Sequence, residues 1–146
     1  MRALVQRVER ASVKIDGKFA GNIAIGLLVY IGIAPADNIE TIKWMCNKLV
    51  NLRIFPDEEN KMNRSVIDCN GEILMISNFT LYGDVHKGFR PNFMASAAPD
   101  IAENIYNKLV DYLRNNFPIK VATGRFGAMM DIESVGAGPV NIIIDA

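Results

Sequence analysis

Apolar and polar positions alternate at a strand-like period through Ala3–Val8 and again through Ala11–Ile15, and Asp16-Gly17 behind them is a hairpin signal. Asn22–Ile25 leads through Gly26 into Leu27–Ile33, a run apolar on both faces, which predicts a central strand. Asp37, with Glu40 three residues later, resembles a capping box. Behind it Ile39, Ile42, Met45, Cys46, Leu49 and Leu52 recur at helical spacing, so a helix is predicted over Asp37–Asn51. Arg53–Phe55 reads as a short strand closed by the charged turn Pro56–Asn60, and Glu72–Phe79 as a buried strand ending in polar residues. Tyr82–Ala98 is a long loop rich in Gly, Pro and Ala, and loops of that length are usually functional. Ile101, Ala102, Ile105, Leu109, Tyr112 and Leu113 mark a second amphipathic helix over Pro99–Asn116 with proline near its start. Strands near 119–123, 130–135 and 140–144 close the chain. The pattern is that of one mixed α/β domain over residues 1–146, without internal repeats or linkers.

The length of 146 residues fits one domain with a sizeable core. Lys+Arg and Asp+Glu both number 16, so the formal net charge is zero. That balance argues against a protein that coats duplex DNA, and it leaves room only for a local nucleic-acid contact. One histidine, His86, and two cysteines, Cys46 and Cys69, rule out a Cys₄, Cys₂His₂ or His-rich metal site within one chain, so no metal and no cofactor is expected. Two unpatterned cysteines point to a reducing compartment. The charged N-terminus is unlike a signal peptide, and the longest apolar run is too short to span a bilayer. A cytoplasmic protein without a membrane contact is expected.

Candidate chemistry is sparse. His86 is the one ready general base near neutral pH, yet beside Asp84 and Lys87 it reads first as a solvated loop histidine. Cys46 lies on the apolar helix face and Cys69 precedes the turn Asn70-Gly71, so neither suits a catalytic thiol. Ser77-Asn78-Phe79-Thr80 either terminates a strand through local backbone bonds or faces a cavity. Gly136-Ala137-Gly138-Pro139 is an ordinary turn or the seat of a cis peptide. Gly124-Arg125-Phe126-Gly127 lacks the Lys-Ser/Thr ending of a P-loop, and Lys87-Gly88-Phe89-Arg90 has the cation–aromatic mix that can meet RNA.

Together these motifs are more specific than any one of them. Met1–Val8, Asn51–Phe55, Ser77–Asp84, Lys87–Pro91, Gly124–Met130 and Gly138-Pro139-Val140 follow one another as in the D-tyrosyl-tRNA deacylases, the D-aminoacyl-tRNA deacylase family, which the whole chain resembles. The resemblance implies an α/β domain with a barrel-like mixed sheet and two main helices, working as a homodimer with active sites at the subunit interface. It implies hydrolysis of D-aminoacyl-tRNA, and of glycyl-tRNA of the alanine tRNA, at the tRNA 3′ end, with no DNA as partner. Ser77, Phe79 and Thr80 would then be catalytic, and Asn78, Met130, Gly138 and Pro139 would bind substrate. Arg7 would support the Gly-cis-Pro element, and Lys87, Arg90 and Arg125 would contact tRNA. Against the family's common pattern, Asn78 replaces Gln, Gly83 replaces Ala, Gly136 replaces Asn and Asn141 replaces Thr.

An aminoacyl ester beside a vicinal hydroxyl is already activated, so fixed geometry and backbone N–H donors are the expected catalysts, with the RNA 2′-hydroxyl moving the proton. Covalent attack by Thr80 is the rival mechanism and needs a neighbouring base. A non-catalytic RNA-binding module and a small-molecule D-amino acid esterase are the alternative functions.

Overall fold

The computed structural model describes residues 1–146 and is organised around its first strand, β1 (Arg2–Ile15). The two predicted strands at 3–8 and 11–15 are halves of this one 14-residue strand. On one side β1 pairs antiparallel with β3 (Gly26–Gly32) through residues 2–8, then with β2 (Lys18–Ile23) through residues 11–15. On the other side β8 (Asp131–Asp145) runs antiparallel along nearly its whole length. β3 continues in parallel to β6 (Glu72–Ser77), and β6 in parallel to β7 (Val121–Thr123). Parallel neighbours need long crossovers; α1 (Ile39–Asn51) and α2 (Pro99–Asn116) supply them. β4 (Phe55–Pro56) and β5 (Met62–Arg64) form a separate hairpin around the charged turn.

The sheet is nearly closed. Its β2 and β7 edges meet at Gly21, where an added Cβ would lie 2.8 Å from the Thr123 carbonyl oxygen, so only glycine fits that approach. Alternation along the strands then divides the apolar residues into two cores. Ala3, Val5, Leu27, Val29, Ile31, Ile73 and Met75 face the helices, where Ile42, Met45, Leu49, Tyr106, Leu109 and Leu113 cover them. Val8, Ala11, Val13, Ile23, Leu28, Leu74 and Ile76 fill the barrel. Val8 and Ala11 can share the inner face because the β1–β8 register shifts between Val8 and Arg10, moving the alternation by one residue.

Three predicted boundaries move. The first helix is capped by Asn38, whose Oδ1 accepts the Glu40 and Thr41 N–H groups at 2.9 and 3.3 Å while Thr41 Oγ1 accepts the Asn38 N–H. Asp37 is engaged elsewhere, accepting the Met1 ammonium at 2.6 Å and the Ala34 N–H at 2.7 Å. The fold brings that cation to Asp37, and the adjacent Asn38 is an equally good cap. β6 ends at Ser77, and Phe79–Tyr82 forms a 3₁₀ turn in place of further strand. The predicted strands near 130–135 and 140–144 are one strand with an interruption. No helix is long and apolar enough to cross a membrane.

Candidate active site

The polar end of β6 is built by strand pairing and then by its own side chains. Ser77 pairs with Ile31, and the Asn78 N–H donates to the Ile31 carbonyl at 2.8 Å, the last tie to β3. Asn78 then caps the 3₁₀ turn: its Oδ1 accepts the Thr80 N–H at 3.0 Å and also the Thr80 hydroxyl proton. The Phe79 N–H, at the start of the turn, has no partner. The Phe79 N–H is thus open, and the Thr80 N–H is held by Asn78. The Phe79 ring is exposed and meets Phe93 edge-on at 5.0 Å, which seats the long loop against the turn. Arg2 braces the far end by donating to the Leu81 carbonyl at 3.2 Å while its fork holds Asp145 at 2.6 and 3.3 Å. That hydrogen bond keeps the Asp145 carboxyl below the ordinary carboxylate range.

The second feature interrupts β8. Gln6 pairs with Asn141 and Val8 with Gly136, so Arg7 alone stands opposite Ala137, Gly138, Pro139 and Val140. Those four residues leave the ladder as a bulge whose Gly138–Pro139 peptide is cis. Gly138 has φ +147, and a Cβ there would lie 2.5 Å from the Val140 nitrogen, so the bulge requires glycine. Arg7 pins it from below: Nε donates to the Ala137 carbonyl at 2.9 Å, and Nη1 donates to the Ile54 carbonyl behind α1. Arg7 can reach Ile54 because, like Ala3 and Val5, it lies on the helix-covered side of β1.

One chain does not bring the two features together. Ser77 lies in the row Ile31, Ala3, Ile144, and the bulge lies in the row of Arg7. Three inter-strand steps and four residues of strand rise separate them by roughly 20 Å along the sheet. Met130 is on the Ser77 side, packed on the inner core where its sulfur and Ile76 both border Gly124. Lys87 and Arg90 are exposed in the long loop around the fully exposed Phe89. Arg125 is exposed beside a cleft of about 470 Å³ between α2 and the segment after β7, lined by Tyr106, Arg114 and Phe126. His86 points to solvent and no base bonds to the Thr80 hydroxyl, whose partner is Asn78. Cys46 is buried in the helix-side core, and burial pushes its thiol up to about 12. Sequence reasoning had no signal for the Ile54 and Ala137 carbonyls or for Arg2 at Leu81, since a backbone acceptor leaves no residue signature.

The chain matches the D-Tyr-tRNA(Tyr) deacylase family over residues 4–145. It is 49% identical over 146 residues to a D-aminoacyl-tRNA deacylase of Thermosipho africanus, covering 100% of this chain and 97% of that one. It belongs to the D-aminoacyl-tRNA deacylase family. A second family member, from Clostridium acetobutylicum, is 50% identical over 146 residues, covering 100% of this chain and 97% of its own. Among solved structures, the c-Myc DNA Unwinding Element Binding Protein superposes with TM-score 0.95 at 38% identity, covering 100% of this chain and 99% of that one. A probable eukaryotic D-amino acid tRNA deacylase shares the fold at TM-score 0.83 and 19% identity, covering 99% and 98%. As a deacylase by family the chain is an enzyme of the hydrolase class.

Proposed function

We propose that this chain hydrolyses the ester of D-aminoacyl-tRNA, and of glycyl-tRNA of the alanine tRNA, releasing tRNA and amino acid in the cytoplasm. The observation that carries the reading is the pinned Gly138–Pro139 bulge on the outer strand β8, three strands and roughly 20 Å along the sheet from the polar end of β6 in the same chain. A homodimer that inserts each bulge into its partner's β6 end unites them. The exposed apolar side chains Phe79, Val85, Phe89, Met94 and Met129 on the surrounding loops are suited to such burial and to the terminal adenosine.

In this reading the Ser77–Thr80 segment and Met130 receive the adenosine and the aminoacyl ester. The open Phe79 N–H faces the developing oxyanion, and one such donor is worth about 10²–10³ in rate. Thr80 forms no acyl-enzyme, since its hydroxyl proton goes to Asn78 and no base adjoins it. The tRNA's own 2′-hydroxyl and water move the proton. Carbonyls of Gly138 and Pro139 take the substrate ammonium, and backbone fills the direction of an L side chain, so the site works by exclusion. Glycine has no side chain to exclude. Lys87, Arg90 and Arg125 are each without a salt-bridge partner and suit a few phosphate contacts at the 3′ end.

The test is one time course of purified protein with matched D-tyrosyl- and L-tyrosyl-tRNA. Loss of the D ester with the L ester intact is expected. Equal loss of both removes the bulge from the selector role, and binding without turnover leaves an RNA-binding module. A terminal 2′-deoxyadenosine abolishes turnover here and leaves a small-molecule esterase unaffected. Duplex DNA, suggested by the name of the 38% identical structure, is the control ligand; a chain of zero net charge should bind it weakly.

A further inference from the structure

The Asn78–Thr80 pair determines the direction of a hydroxyl group. A backbone N–H can only donate, and the Thr80 N–H lies 3.0 Å from the Asn78 side-chain amide. The amide atom facing it is therefore the oxygen, Oδ1. The Thr80 hydroxyl rests on the same atom. A carbonyl oxygen only accepts, so the hydroxyl must spend its single proton there. What Thr80 Oγ1 turns toward the exposed mouth of the site is lone pairs, and no other group of the protein bonds to them.

We propose that Asn78 is a positioning residue that fixes the Thr80 hydroxyl as an acceptor, and that Thr80 Oγ1 receives a hydrogen bond from the substrate. The donor is the α-ammonium of the aminoacyl group or the 2′-hydroxyl of the terminal ribose, the two donor groups flanking the ester. The inference rests on the deacylase reading for the identity of that substrate. It separates the two residues' roles. Thr80 neither donates to the oxyanion nor attacks the carbonyl; it orients the substrate, and Asn78 acts only through it.

Binding of a 3′-amide-linked D-tyrosyl adenosine, which cannot be hydrolysed by an esterase, tests this without requiring turnover. T80V removes the acceptor at nearly constant shape and N78L removes the group that orients it. Each should weaken binding roughly tenfold to a hundredfold, the range for a hydrogen bond to a charged group at its upper end. The double variant should be no weaker than N78L alone, because N78L already removes the orientation of the one substrate bond that T80V deletes. T80S and N78D keep the acceptor arrangement and should recover most of the loss. The N-acetylated analogue identifies the ammonium as donor if the T80V effect vanishes with it, and the 2′-deoxy analogue identifies the ribose hydroxyl in the same way. Unchanged binding in T80V, losses that multiply in the double variant, or N-acetyl and 2′-deoxy arms that both keep the full T80V effect would each overturn the proposal. So would a wild-type protein that binds none of the analogues. Binding with the expected pattern but no hydrolysis of D-tyrosyl-tRNA would overturn the deacylase reading and leave the polarity of Thr80 standing.

Discussion

Replacing Arg7 by methionine keeps most of the stem and removes the guanidinium that ties the β8 bulge to the body of the fold. Two charge-assisted bonds disappear, Nε to the Ala137 carbonyl at 2.9 Å and Nη1 to the Ile54 carbonyl. Hydrogen bonds to charged groups contribute about 1.5–3 kcal/mol each where buried, and both of these are only part-buried. The two acceptors respond differently. Ala137 borders exposed Gly138 and Pro139, so water can replace the arginine there. Ile54 is 5% exposed, and its carbonyl is left facing an apolar side chain. The expected loss is about 2–3 kcal/mol in all, mostly from the Ile54 side, which for a chain of this size lowers Tm by about 4–12 °C. Arg7→Lys keeps the charge but not the fork, and should lose about half as much. Urea unfolding followed by the single tryptophan, Trp44, reads the change as a lower midpoint at constant slope. Amide exchange at Ala137, Gly138 and Val140 should quicken in Arg7→Met well beyond the global loss. A variant as stable as wild type, with exchange in the bulge unchanged, would show that Arg7 does not hold it.

Other consequences are as direct. Gly138→Ala sets a Cβ 2.5 Å from the Val140 nitrogen at φ +147, so it should reshape the bulge and let L-tyrosyl-tRNA be hydrolysed, while urea stability falls by about 1–3 kcal/mol. Tyr106→Phe deletes the buried hydroxyl that donates to the Met75 carbonyl at 2.9 Å, and should cost about 1–2 kcal/mol in the same denaturation assay. Cys46 has its thiol raised by burial to about 12 from an ordinary value of 9.0. Its contribution to stability is fully present below the unfolded value and is lost as pH rises toward the folded one, so Cys46→Ala should flatten the alkaline side of the stability–pH curve. If only Lys87, Arg90 and Arg125 meet phosphates, log affinity for tRNA against log salt should have a shallow slope, and a slope implying six or more contacts would refute that assignment.

Much of this protein is written locally in its chain. A period-two pattern named β1, unbroken apolar runs named β3 and β6, and helical spacing named α1 and α2, because each pattern records which sides of one element meet the core. The polar Ser77–Thr80 and the Gly138-Pro139 pair stood out as departures from such patterns, and the order of motifs pointed to the family. The tertiary structure alone decided what these features do to one another. Asp37 and Asn38 are equivalent caps until the fold brings a cation to Asp37. The missed continuity of β1 and β8 arises because each strand is paired with the other, on both sides of the bulge, across more than a hundred residues of sequence. Arg7 reads as a polar position of a strand; its partners are carbonyls at 54 and 137, and a carbonyl is the same atom in every residue. The roughly 20 Å along the sheet between the β6 turn and the β8 bulge is likewise a property of strand order and register, which no local pattern encodes. Side-chain chemistry is legible residue by residue, whereas distance and direction exist only once the sheet has closed.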